Sequence, residues 1–188
     1  ATRFYDDLLK NKIGIISFDF PGHGEDKTDF SFFNLSLCIT YLEEMITYVK
    51  IKYNVPIYLF GCSFGGFVIL NKLIQNNENI EKTMLMCPAI NFCEIMERKS
   101  GISFNYFNIK IYKDAYLEFK KGDNDVKNYK FQNVVIIQGT SDKTVLYKDI
   151  CDFCNNHNLK LTTIEDGKHE LYNYDNEIID FLLNHINE

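Results

Sequence analysis

Gly61-Cys62-Ser63-Phe64-Gly65 sets a serine between two glycines where two apolar runs meet, in YLFGCSFGGFVIL (58–70). Helix and strand interiors both disfavour glycine, by roughly 0.5–1 kcal/mol relative to alanine. One reading is a plain turn between buried elements. The chemical reading is a strained elbow that holds a hydroxyl out for nucleophilic attack, with glycines where the crowded backbone leaves no room for a Cβ. Gly66 then lets the following helix pack close to a sheet. The Phe64 N–H, at the helix start, would point toward a developing oxyanion.

Such a serine needs a base to take its proton and a carboxylate to orient that base. The chain has four histidines. His23, in DFPGHGED, reads as a loop residue shaping the rim of a site, and His157 and His185 read as surface residues. His169, in EDGKHELY, follows the last apolar run and has a flexible neighbour in Gly167, which makes it the candidate base. Asp142, in VVIIQGTSDKTV, stands just past an apolar run and is the candidate acid, although a helix N-cap would use the same residue. Asp114 and Asp123 lie in a less suitable segment, and Asp166 is too close in sequence to reach the ring of His169 from behind.

The elements that must position these groups follow from the apolar pattern. KIGIISFDF (12–20), PIYLFG (56–61), KTMLMCPA (82–89), NVVIIQGT (133–140) and KLTTIED (160–166) read as strands, with the continuous hydrophobicity of strands buried on both faces. Residues 32–53, 64–77, 145–157 and 176–186 carry helical spacing. Alternating strand and helix implies an α/β fold, a mostly parallel sheet with helices on both faces. Its ligands gather beyond the carboxyl ends of the strands, where Ser63 would sit. Residues 91–131 interrupt the rhythm with a run of aromatic residues, among them Phe92, Phe104, Tyr106, Phe107, Tyr112, Tyr116, Phe119 and Phe131. That is too long for a βα connection and reads as an inserted lid, its aromatic residues either lining a substrate site or forming the lid's own core.

With 188 residues, 46% hydrophobic and 24% charged, the chain can bury a full core as one domain spanning 1–188. A net charge of −6 lacks the basic footprint of a nucleic-acid binder. No apolar run is long enough for a membrane span. Six cysteines without small-scaffold spacing read as reduced thiols and a cytoplasmic setting, and the Cys151–Cys154 CxxC as helix packing rather than zinc or redox chemistry. No metal and no cofactor is implied.

The order Ser63, Asp142, His169 with its elbow resembles the α/β-hydrolase fold family of serine hydrolases. FDFPGHGED is similar to the family's D-x-x-G-H-G loop after its fourth strand, GTSDKTV to its acid loop and GKHE to its histidine loop. The elbow, the lid length and CPAINF look most like cinnamoyl or feruloyl esterases and monoglyceride-lipase-like enzymes. The resemblance implies a carboxylic-ester hydrolase acting through an acyl-enzyme on a small-molecule ester with an apolar or aryl acyl group. The same groups would also serve a thioesterase or acyltransferase, or a binding protein that has lost the chemistry. It implies too that the family's first three strands, and the loop giving a second oxyanion donor, are absent from this chain. The third family strand would lie between the fourth and fifth. An upstream segment of the same polypeptide is therefore expected to complete the sheet, since an unfilled gap leaves backbone groups unpaired at about 1–3 kcal/mol each.

Overall fold

The computed structural model describes residues 2–100, 105–106, 109–110 and 113–187. Helix α1 (Tyr5–Lys10) is followed by α2 (Leu35–Tyr53), β1 (Tyr58–Cys62), α3 (Phe64–Gln75), β2 (Lys82–Met86) and α4 (Phe92–Ser100). The chain continues through the two-residue strands β3 (Asn105–Tyr106) and β4 (Ile109–Lys110) to α5 (Lys113–Asn128). Then come β5 (Val134–Gly139), α6 (Tyr147–His157), β6 (Lys160–Ile164) and α7 (Asp175–Asn187). The main sheet has the order β1-β2-β5-β6 and every neighbouring pair is parallel.

The strand period of two divides the core. Leu85, Val134 and Ile136 point into a larger cluster with α2 to α6, whereas Met84, Met86, Val135 and Ile137 point into a second one with α1 and α7. Helices thus cover both faces. Local signals set the ends of α2: Asn34 Oδ1 accepts from the Leu37 N–H at 2.8 Å, and Asn54 closes the helix in the left-handed region at φ 48°.

Residues 12–20 are not a strand. Ile13 and Ile15 pack against the second cluster and Phe18 and Phe20 against the first, so the segment has a strand's alternation. It lacks a partner: among the described residues no backbone–backbone hydrogen bond reaches Gly14–Asp19, and Ile16 is 43% exposed. A strand is defined by its ladder, and β1 is the edge of the sheet.

Within 91–131, α5 packs on α2, α3 and α4. Phe92, Tyr116, Phe119 and Phe131 are all buried there and belong to the larger cluster. Phe104, Phe107 and Tyr112 of the expected lid lie outside the described residues. Asp123, on α5, accepts from the Phe92 N–H at 2.7 Å and the Cys93 N–H at 2.9 Å, so a carboxylate from one helix caps the start of another.

Candidate active site

Ser63 follows the last residue of β1 and immediately precedes α3, with φ 49° and ψ −117°, a conformation that L side chains rarely take. Three backbone bonds hold it. Its N–H donates to the Met86 carbonyl at 3.0 Å, and its own carbonyl accepts from Ala89 at 3.0 Å and Phe67 at 3.2 Å. The glycines divide the steric work differently from the sequence expectation. A Cβ on Gly61 would lie 2.6 Å from Ile69 Cδ1 and 2.9 Å from the Gly65 backbone, and one on Gly66 would lie 2.8 Å from Pro88 Cβ. A Cβ on Gly65 would meet nothing within 4 Å. The crowding is at Gly61 and Gly66.

Phe64, the first residue of α3, anchors the elbow through its ring. It lies 4.8 Å from Phe92 and 5.5 Å from Phe33 between ring centroids, in a buried aromatic group that includes Phe67 and Phe119. The aromatic residues of α4 and α5 that the structure describes therefore act as packing behind the elbow.

The other two groups arrive on adjacent loops. Asp142 follows β5 and His169 follows β6. The loops are stitched together: the Ser141 N–H donates to the Gly167 carbonyl at 2.9 Å, and the Asp166 N–H to Thr140 Oγ1 at 2.8 Å. Contact this close excludes side chains. A Cβ on Gly139 would come 2.2 Å from the Gly167 oxygen, and one on Gly167 would come 2.7 Å from Leu171 Cδ2. Gly167 is thus a point of close approach rather than the flexible neighbour expected from sequence.

The three side chains meet. His169 Nε2 is 2.8 Å from Ser63 Oγ, and His169 Nδ1 is 2.8 Å from Asp142 Oδ2. Asp142 divides its oxygens between two tasks, because Oδ1 accepts from the Thr144 and Val145 N–H groups at 2.7 and 3.0 Å. The turn role that sequence offered as an alternative is therefore present as well. Burial alone would raise the Asp142 carboxyl, but the hydrogen bond and charge of His169 and the two backbone N–H groups outweigh it and hold it below its usual value.

Two further groups sit under the pair, and sequence reading missed both. Gln138 Nε2 donates to Asp142 Oδ2 at 3.0 Å. Its signal was a lone amide inside the apolar run VVIIQG. Cys87 follows β2, and its sulfur joins Asp142 and His169 in a set of ligand atoms all within 4.8 Å of one another. These three residues could hold a metal ion. Burial, however, pushes the Cys87 thiol far above its usual range, so it stays protonated and hydrogen-bonds to Asp142. The Asp142–His169 hydrogen bond already engages the other two atoms.

The remaining histidines lie elsewhere. The His23 ring is 4.9 Å from Phe33 between centroids, with Nδ1 3.0 Å from the Pro21 carbonyl. His157 and His185 are buried rather than on the surface: His157 packs 4.2 Å from Phe153 between centroids, and His185 Nδ1 lies 2.7 Å from the Phe181 carbonyl. All six cysteines are free. Among the described residues no helix is long and apolar enough to cross a membrane.

Solved structures share this architecture. Est1E from Butyrivibrio proteoclasticus, with ferulic acid bound, superposes with a TM-score of 0.78 at 19% identity, covering 100% of this chain and 83% of that one. A monoacylglycerol lipase from Paleococcus ferrophilus gives 0.73 at 13% identity, covering 98% and 90%. A Xanthomonas campestris α/β serine hydrolase described as lacking a lid gives 0.69 at 15%, covering 99% and 71%. Nothing matches among curated protein sequences. The pattern of one sequence family, described as serine aminopeptidase, S33, matches residues 1–124, a stretch that contains the Ser63 elbow and stops short of Asp142 and His169. By that match and by its α/β-hydrolase fold, this chain is a serine hydrolase and belongs to the serine aminopeptidase S33 family.

Proposed function

We propose that the chain cleaves carboxylic esters through an acyl-enzyme on Ser63. His169 takes the hydroxyl proton as Ser63 attacks the acyl carbon, then returns it to the leaving alcohol. Asp142 keeps the proton of the resting imidazole on Nδ1 and stabilises the imidazolium. The Phe64 N–H is a donor to the oxyanion. Water, activated by His169, then attacks the acyl carbon and releases the acid. The observation that carries this reading is the continuous chain of two 2.8 Å contacts from Ser63 through His169 to Asp142.

The ester class and an apolar or aryl acyl group draw support from the likeness to Est1E with ferulic acid bound and to the P. ferrophilus monoacylglycerol lipase. Residues 91–131 serve in this reading as a lid within a single domain, resting on the aromatic packing behind Phe64. Acyl thioesters are the second substrate class for the same chemistry.

The test is covalent labelling by a fluorophosphonate. Wild-type protein is expected to be labelled once, on Ser63, and Ser63→Ala to show no labelling. Labelling that persists in Ser63→Ala removes Ser63 from the role. Aryl esters are expected to turn over faster than acyl thioesters of the same acyl group, and the reverse order assigns the thioesterase reading.

A further inference from the structure

The apolar run of β5 is broken once, by Gln138, whose side chain is fully buried. A buried amide is costly unless its polar atoms are paired. The donor end is well paired, Nε2 lying 3.0 Å from Asp142 Oδ2 and 3.1 Å from the Val145 carbonyl, with the Gly139 carbonyl more distant at 3.5 Å. The acceptor end has no partner among the described residues. Turning the amide over would set its oxygen against a carboxylate and a carbonyl, so those two acceptors fix its direction and leave Oε1 as the unpaired end. A methionine of similar shape would carry no such orphan. What the amide offers in exchange lies at its other end. Asp142 Oδ1 is held by two backbone N–H groups, whereas Oδ2, which meets His169, is held from the strand by Gln138. A nearby Cys87 thiol is a weaker donor.

We propose that Gln138 is a positioning residue: braced on the Val145 carbonyl, its amide fixes the Asp142 carboxylate in the orientation that meets His169 Nδ1 and thereby sets the imidazole against Ser63. It acts through Asp142 and touches no reacting atom. The proposal rests on the catalytic reading of Ser63, Asp142 and His169, and two readouts keep the two apart.

One readout is the rate of fluorophosphonate labelling at Ser63. The other, in the free protein, is the downfield proton resonance of the His169–Asp142 hydrogen bond. Gln138→Met and Gln138→Glu retain approximate shape and lose the neutral amide donor. Both are expected to label at least about tenfold more slowly, the size of effect given by one lost hydrogen bond to a charged group, and to shift or broaden the resonance. A folded Gln138→Met with wild-type labelling and an unchanged resonance overturns the proposal. If neither variant folds, the wild-type Gln138 side-chain amide resonances decide. On covalent labelling of Ser63 they should shift together with the downfield proton of the His169–Asp142 hydrogen bond, and amide resonances that stay fixed overturn the proposal. Wild-type protein with the downfield resonance but no labelling at Ser63 would sink the catalytic reading while leaving the bracing of Asp142 intact.

Discussion

Ser63 occupies a backbone region whose strain is of order 1–3 kcal/mol, and the surrounding contacts make that strain tolerable. The tolerance depends on specific empty volumes. Gly61→Ala drives a methyl into Ile69 and the start of α3, and is expected to destabilise the protein by about 2 kcal/mol or more. Gly65→Ala fills open space on a helix and should be neutral, or stabilising by about 0.5–1 kcal/mol. Urea denaturation of the two variants checks both. Which polar side chains would meet was the most legible part of the sequence. Spacing and order single out Ser63, Asp142 and His169, and the fold brings them within hydrogen-bond reach. The steric roles were less legible, because which glycine is crowded depends on Ile69, Pro88 and Leu171, contacts that no local pattern encodes. Gln138 escaped for the same reason, since a buried amide declares its partner only across the β5–α6 turn. His157 and His185 looked like surface residues because an imidazole packed against a phenylalanine leaves no trace in sequence.

Elements held where they had partners. Four of the five expected strands form one parallel sheet, and all four helical stretches are helices within a few residues. The exception, 12–20, shows that alternation encodes which faces a segment presents, whereas pairing requires a neighbour. The long aromatic segment was legible as an interruption but not as the packed pair α4 and α5. Its joint is the Asp123 cap. Burial raises the Asp123 carboxyl to about 6 despite the hydrogen bonds from Cys93 and Phe92, which favour the charged form. A folded-state value above the unfolded one means that the folded protein holds the proton more tightly. The corresponding stabilisation is complete below about pH 4 and fades as pH rises through about 6. Relative to Asp123→Asn, wild-type protein should thus lose on the order of 2 kcal/mol between pH 4 and pH 7. Denaturation curves at a series of pH values check this, and parallel profiles for the two proteins would contradict it.

For the whole molecule, the sheet separates two apolar clusters of unequal size, and among the described residues Gly14–Asp19 makes no backbone–backbone hydrogen bond. Backbone amides of Gly14–Asp19 should therefore exchange with solvent orders of magnitude faster than those of Leu85 and Ile136, which lie in paired strands on the buried side. Mass-spectrometric hydrogen exchange on peptides spanning these stretches measures the contrast, and slow exchange at Gly14–Asp19 would contradict it. The stitching of Ser141 and Asp166 to the neighbouring loop has a mechanical consequence. Carboxylate and imidazole ride on one block, the β5–β6 end of the sheet, while Ser63 is tied to the end of β2 at Met86 and to Ala89 just beyond it. Thermal loosening along the β2–β5 seam would part the Ser63 hydroxyl from the imidazole while leaving the Asp142–His169 pair intact.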